Sequence, residues 1–531
     1  MKGERESDSR PRIIGPIMKR LLPVLLVLSV LVVPSAQTVD RPDVLFIAID
    51  DLNDWVGVLG GHPQAKTPNI DTLAARGMTF TNAHSPSALC NPSRTALLTG
   101  LRPPTSGVYG NGEDWRQMPV FQGKATLPRH FREHGYRTFG AGKLFHAHTF
   151  AGEAGFVGLN DPMGWDAFYP SMTRQLPDEV GPPQRPANRN TVFNGFDYAA
   201  VVTDDAAMGD GQVVNWVSQQ LTAETGSPRF VAAGIYRPHL PWYVPQQYFD
   251  MHPLEDVQLP ATIANDLDDL PPLGRAGTFQ STEIHEWVLA NQQWKQAVQG
   301  YLASISFADA MVGRLMEALD RSGRAGNTIV VLWGDHGFHL GEKERWRKMT
   351  LWEESTHVPL IVVAPGVTTP GSKTNMPVSL MDIYPTLSAL TGLPTPAHVE
   401  GQSLVPLLRN PGATRAEPAV TTYGYKNHAV RTERYRYIQY ADGTEELYDH
   451  QSDPNEWKNL AADPALSRVK ADLARWLPSE NAAPPLPPGR GRGARGRGAR
   501  GASVGDAALG RGGPGRGGGA PAPTDADGEP E

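Results

Sequence analysis

Cysteine is nearly absent: the chain of 531 residues has one, Cys90. No internal disulfide can form, so stability has to come from apolar cores, which a chain of this length can build in two or more domains. A strong charge of either sign is also missing. The formal net charge of −7 is small for the length and gives no global field for nucleic acid or an acidic membrane. The apolar run Leu21 to Val33 falls short of the roughly 20 residues a spanning helix needs. From Asn481 to the end, large apolar residues are scarce and Gly, Pro, Ala and Arg dominate. Such a segment cannot offset its chain entropy by burial, and 481–531 is expected to be a disordered tail. Its Arg490 to Arg500 run is either a plain soluble extension or an electrostatic contact for polyanionic glycans.

What is present reads as a globular protein with an export signal. Hydrophobic residues make up 40% and charged residues 20% of the chain. Lys19-Arg20 precede the apolar run and the small residues Ser35 and Ala36 follow it, which predicts a signal over 1–36, with Met18 as the more ordinary start. The mature protein is expected to be periplasmic or secreted, with no stable membrane insertion. A lone thiol in an oxidising compartment is a liability unless it is buried or consumed by modification.

The run Asp43 to Ile49 is apolar after its first residue, as in a strand buried on both faces of a parallel sheet, and it ends in Asp50-Asp51. Similar runs at Phe230 to Ile235 and Thr328 to Trp333 end in Arg237-Pro238-His239-Leu240-Pro241 and Gly334-Asp335-His336-Gly337. A helix at Leu127 to His134 and a short strand lead to Gly142-Lys143-Leu144-Phe145-His146. In open α/β folds chemistry collects beyond the carboxyl ends of strands, so these are the places to look for a site. Adjacent buried carboxylates need a cation or hydrogen bonds, and a histidine restrained between prolines suits proton transfer. Gln296 to Leu319 predicts a long amphipathic helix, Ala261 to Glu283 a surface loop, and Asn427 to Asp449 with Ser467 to Trp476 a small antiparallel sheet covered by one helix.

Cys90-Asn91-Pro92-Ser93-Arg94 starts a predicted helix over Ser93 to Leu98 that stops at Gly100, which places Cys90 where free N–H groups favour anions. This order, continued to Leu98-Thr99-Gly100, resembles the signature of the formylglycine-dependent sulfatases, in the alkaline-phosphatase-like superfamily. Asp50-Asp51, Gly142-Lys143-x-x-His146, Gly334-Asp335-His336-Gly337 and Lys348 extend the resemblance from about Asp43 to Leu477. With Arg237-Pro238-His239-x-Pro241 and Trp346-Arg347-Lys348 it is most similar to the iduronate-2-sulfatase-like branch.

The resemblance implies an α/β fold: an α/β/α sandwich with a mostly parallel central sheet over residues 40–410, and a smaller α+β subdomain with a short antiparallel sheet over 411–480. It implies that a maturation enzyme converts Cys90 to formylglycine, whose hydrate is the nucleophile. Asp50, Asp51, Asp335 and His336, with the modified Cys90, would coordinate one divalent cation, normally calcium. The histidine among these ligands, where many relatives have asparagine, leaves the metal's identity open, since hard cations prefer oxygen. His239 would protonate the leaving sugar oxygen, Lys143 and Lys348 hold sulfate oxygens, Arg94 secure the formylglycine, and His146 take a proton from its second hydroxyl. The substrate implied is a sulfated oligo- or polysaccharide, 2-O-sulfated on a uronic acid. A phosphonate or phosphodiester hydrolase of the same superfamily and a non-catalytic glycan-binding protein are the alternatives. Alkaline phosphatase proper is disfavoured, because position 90 is not serine and no second metal cluster is visible.

Overall fold

The computed structural model describes residues 41–147, 158–193, 195–224, 226–276 and 282–484. The signal over 1–36 and the tail beyond 484 lie outside the described residues. Among the described residues no helix is long and apolar enough to cross a membrane.

An eight-stranded sheet forms the centre. Its strands in chain order are β1 (Asp43–Ile49), β2 (Met78–Phe80), β3 (Arg137–Gly142), β4 (Ala167–Tyr169), β5 (Arg229–Ile235), β6 (Thr328–Gly334), β7 (Leu360–Val363) and β8 (Ser372–Thr374). The spatial order is β8-β2-β7-β6-β1-β5-β3-β4. Only β7 runs against its neighbours, so the sheet is mostly parallel, as expected. β1 shows why both faces are apolar: Leu45, Ile47 and Ile49 enter one buried cluster, and Val44, Phe46 and Ala48 enter the other.

Helices cover both faces. On the first lie α1 (Pro68–Arg76), α3 (Gly209–Thr222) and α4 (Trp294–Arg321); on the second lie α2 (Cys90–Thr99) and the shorter helices Leu127–Glu133 and Ile383–Leu390. α4 runs longer than the periodicity suggests, and its predicted stripe Ile305, Ala308, Val312, Leu315 and Leu319 is buried. α2 begins at Cys90 itself rather than at Ser93, and Gly100 closes it in the left-handed conformation with φ 78°.

The small sheet has four antiparallel strands: β9 (Ala419–Thr422), β10 (His428–Arg431), β11 (Tyr435–Gln439) and β12 (Glu445–Asp449), with α5 (Ser467–Ala474) against it. β9 has no counterpart in the sequence reading, because Ala419–Thr422 is too short to show alternation. Two expectations need correction. The stretch Ala261 to Glu283 is not simply a surface loop. Leu267 and Leu270 are buried beside Tyr423, Tyr440 and Tyr448, Asp266 pairs with Lys343 at 2.8 Å, and Pro272–Ala276 forms a short helix. The tail also does not leave the fold at Asn481: Ala482 N donates to Pro104 O at 2.7 Å, and Tyr109 Oη donates to Ala482 O at 2.9 Å.

The small sheet grips the segment after Lys348. Trp352 Nε1 donates to Glu446 Oε2 at 2.7 Å, Arg436 Nη1 to Leu351 O at 2.9 Å, and Arg431 pairs with Glu353 at 3.1 Å. Its inner face packs Tyr423, Ala429 and Ile438 on Ala88, Leu89, Met349 and Leu351, the chain on either side of the signature helix and Lys348.

Candidate active site

β6, β1, β5 and β3 are consecutive in the sheet, parallel, and end at one edge. Their ends deliver Asp335-His336, Asp50-Asp51, the His239 turn and Lys143 to the same place. Gly142 is required where β3 turns toward Lys143: its φ is 76°, and a Cβ there would collide with the Gly234 carbonyl of β5.

An unbroken series of contacts of 4.0 Å or less joins Asp50, Asp51, Cys90, Arg94, Lys143, His239, Asp335, His336 and Lys348. Lys348 Nζ is 3.4 Å from His239 Nε2 and 3.3 Å from Asp51 Oδ1. His239 Nε2 is 4.0 Å from Asp51 Oδ2, and His336 Nε2 is 3.4 Å from Asp51 Oδ1. His336 Nε2 lies 3.1 Å from Cys90 Sγ, and Lys143 Nζ lies 3.7 Å from the same sulfur. Lys143 Nζ is 2.7 Å from Asp50 Oδ2, Arg94 Nη2 donates to Asp50 Oδ1 at 3.0 Å, and Arg94 Nε donates to Asp335 Oδ2 at 2.7 Å. His146 is buried three residues beyond Lys143, its carbonyl held by Gln175 Nε2 at 3.1 Å and Leu159 N at 2.9 Å.

Three carboxylates and three cations are therefore enclosed together, every one fully buried. Burial alone would raise the Asp50 carboxyl, but Lys143 and Arg94 beside it hold it well below the usual carboxylate range. For Asp335 burial outweighs Arg94, and its carboxyl is raised. Burial also pushes the Cys90 thiol well above its ordinary value, against the pull of Lys143 and Lys348. As cysteine, this residue is a neutral thiol and a poor nucleophile.

Removing Arg94 would leave Asp50 and Asp335 facing each other without their shared counter-ion. Arg94→Met is expected to destabilise the fold by about 3–5 kcal/mol, read as a lowered midpoint in urea unfolding. An unchanged midpoint would show that Arg94 is not what holds this cluster.

The donor set suits a divalent cation. One ligand atom from each of Asp50, Cys90, Asp335 and His336 lies within 4.8 Å of the others, and the same holds for Asp50, Asp51, Cys90 and His239. Asp50 Oδ2 accepts no hydrogen bond of good geometry, although Lys143 Nζ is near; it is an oxygen left available to an ion. His336 Nδ1 lies 3.0 Å from the Gly337 carbonyl, so that nitrogen carries the proton and Nε2 offers its lone pair to the cluster. A third group, Glu353, His450 and Glu456, has comparable spacing, but Arg431 and Arg436 pair with its carboxylates and make it an ionic clamp for the small sheet.

His239 is oriented in the same way. Its Nδ1 lies 2.6 Å from the Leu240 carbonyl, which leaves Nε2 as the atom able to exchange a proton with the site. Tyr236 supports this arrangement: its hydroxyl donates to the same Leu240 carbonyl at 3.1 Å, its ring lies 4.6 Å from the His239 ring, and Lys143 Nζ stands 5.1 Å from its centroid. Asp210, in the first turn of α3, accepts from Tyr236 N at 2.7 Å and Arg237 N at 2.9 Å.

Other supporting residues are equally hard to foresee. Asp51 has φ 57°, uncommon outside glycine, and is held by its own N–H to Asp335 Oδ1 at 3.0 Å and by Tyr301 Oη donating to its carbonyl at 2.7 Å. Tyr301 sits in the buried face of α4, where sequence shows only core; the one hint is that a buried tyrosine needs a partner for its hydroxyl. Asn91, next to Cys90, ties down a loop: its Nδ2 donates to Gly110 O and Glu113 O, each at 2.9 Å, and its N–H donates to Asn111 Oδ1 at 3.1 Å.

Known proteins of similar sequence and fold point to one family. The model of the Sulfatase family matches residues 42–393, and that of the N-sulphoglucosamine sulphohydrolase C-terminal region matches 341–482. A sulfatase of Formosa agariphila is 42% identical over 84% of this chain and 88% of its own length. The iduronate 2-sulfatase of Homo sapiens is 30% identical over 68% of this chain and 70% of its own. Among solved structures, one of a protein in complex with its substrate D-glucosamine-2-N,6-O-disulfate superposes with TM-score 0.66 at 22% identity, covering 82% of this chain and 97% of that one. A phosphonate monoester hydrolase from Silicibacter pomeroyi gives 0.67 at 22%, covering 82% and 94%. At that identity the two structures speak for the fold.

Proposed function

This chain belongs to the sulfatase family, and from that premise we propose that it removes sulfate from a sulfated glycan, with a 2-O-sulfated uronic acid as the residue attacked. The observation that carries the reading is Cys90: a buried thiol at the first position of a helix, within 3.7 Å of both His336 and Lys143. Uronate specificity draws on the segments around Lys143, His239 and Lys348 and on the 30% identity to human iduronate 2-sulfatase. Residues 40–410 carry the chemistry in this reading, 411–480 brace it, and export rests on the segment around Lys19-Arg20 and Leu21 to Val33.

The chemical demands are charge neutralisation, a strong nucleophile and a proton for the leaving oxygen. Conversion of Cys90 by a formylglycine-generating enzyme would supply the nucleophile as an aldehyde hydrate. A divalent cation, calcium by the weight of its carboxylate ligands, would be held by Asp50, Asp51, Asp335, His336 and the side chain at position 90, and would add positive charge where the sulfate oxygens bind. Lys143, 3.7 Å from the sulfur of residue 90, and Lys348, 3.3 Å from Asp51, would hold those oxygens. Arg94 anchors the carboxylates beneath the helix start. His239 presents Nε2 to the leaving oxygen, and His146 would accept a proton from the second hydroxyl of the hydrate. That hydroxyl is what lets the aldehyde re-form as sulfate departs.

Release of sulfate from a 2-O-sulfated uronate disaccharide, by protein co-produced with its maturation enzyme and supplied with calcium, is the expected result. Turnover should be lost on chelation and should exceed turnover of a phosphodiester. Mature, metal-loaded protein that spares every sulfate ester offered would refute the proposal, and preference for the phosphodiester would favour the phosphonate-hydrolase alternative.

A further inference from the structure

The turn between β9 and β10, Tyr423 to Asn427, is built to present two side chains. Tyr423 N donates to Asn427 O at 3.0 Å, Asn427 Nδ2 returns to Tyr423 O at 3.0 Å, and Asn427 Oδ1 accepts from Ala441 N at 2.9 Å. At the tip Lys426 holds a left-handed φ of 64°, which glycine or asparagine would adopt at less cost. Its ammonium lies 5.1 Å from the centroid of the Tyr425 ring, and Tyr425 is 38% exposed, one of few large apolar side chains so open. Both side chains are exposed and lie outside the buried clusters of the small sheet.

The position of the turn gives them a role. Its base is pinned to the segment leading into Cys90, through Thr422 N donating to Pro86 O at 2.9 Å and Thr421 Oγ1 donating to Ser85 O at 2.6 Å. Tyr425 meets Tyr109 edge to face, with centroids 5.9 Å apart, and Tyr109 opens the loop that Asn91 holds next to Cys90. An exposed ring offers a surface for the C–H face of a sugar, and an ammonium beside it pairs with a carboxylate or sulfate.

We propose that Tyr425 and Lys426 form a subsite for the anionic sugar next to the one that loses its sulfate. The inference rests on the glycan-sulfatase reading above and adds the recognition of the neighbouring residue. The tip is solvent-exposed, so substitution there leaves the fold in place, and Lys426→Gly also relieves the left-handed strain.

The test compares wild type, Tyr425→Ala, Lys426→Gly and Lys426→Arg on a 2-O-sulfated uronate tetrasaccharide and on 4-nitrophenyl sulfate. Each of the first two variants is expected to lose about tenfold in kcat/KM on the tetrasaccharide, chiefly through KM. Turnover of the aryl ester, which has no second sugar, should change less than about twofold, because uniform binding to a remote group is all that is lost. Lys426→Arg should keep most of the tetrasaccharide activity. Unchanged tetrasaccharide kinetics, or an equal fall on both substrates, would overturn the subsite while leaving the sulfatase reading standing. Wild type that cleaves the aryl ester and spares the tetrasaccharide would overturn the glycan reading, and the subsite with it.

Discussion

Cys90→Ala is expected to lower sulfate release by about 10⁴-fold or more while the protein still folds. The fold prediction follows from size, since the change removes one sulfur atom from a buried position at the start of a helix whose packing comes from Leu97 and Leu98. The activity prediction follows from the nucleophile: alanine cannot be converted to formylglycine, so no hydrate would stand at position 90 to attack sulfur. Cys90→Ser separates two parts of the mechanism. A serine hydroxyl can take up the sulfate group, but it lacks the second hydroxyl that expels it, so at most one equivalent of product should appear. Steady-state assays with a thermal melt on the same samples check both. Retention of full activity by either variant would refute the role of position 90.

His239→Asn should show a large but selective loss. Its Nδ1 is committed to the Leu240 carbonyl, so Nε2 is the one atom able to hand a proton to the leaving oxygen. Asparagine keeps the backbone contact within reach and removes that atom. General-acid catalysis is worth about 10²–10⁴-fold, and that is the expected fall in kcat on a sugar sulfate, whose alkoxide leaves poorly without a proton. On 4-nitrophenyl sulfate, whose phenolate leaves unaided, the fall should be small. A parallel loss on both substrates would mean that His239 serves the nucleophile or the cation cluster instead; Asp51 at 4.0 Å and its place among the candidate ligand groups make that comparison decisive.

The parts of this site that local sequence determines were legible. A short, β-branched apolar run such as Val44 to Ile49 reads as a buried strand, which puts the polar residues that end it at a sheet edge. Cys90 to Gly100 carries its own helix stop, although the helix starts earlier than Pro92 suggests, because proline is tolerated in a first turn. What stayed hidden depends on contacts between distant residues. Tyr301 reaches Asp51 across 250 positions, Asp210 braces the His239 turn from another helix, and Asn91 is a signature residue whose visible work is on a loop about twenty positions away. The buried pair Leu267 and Leu270 lay in a stretch whose polar neighbours disguised it. Ala482 is held by single backbone contacts, which composition does not register. The small sheet illustrates the same limit: its strands were mostly readable, yet its grip on Leu351, Trp352 and Glu353, and through them on Lys348, was not.

The most direct test is the mass of the peptide containing position 90, measured on preparations with different degrees of maturation alongside their rate of sulfate release. In active protein the sulfur is expected to be lost and an aldehyde gained, and the rate to rise in proportion to the converted fraction, extrapolating to zero at none. Sustained turnover by protein in which every copy of residue 90 is still cysteine would contradict it.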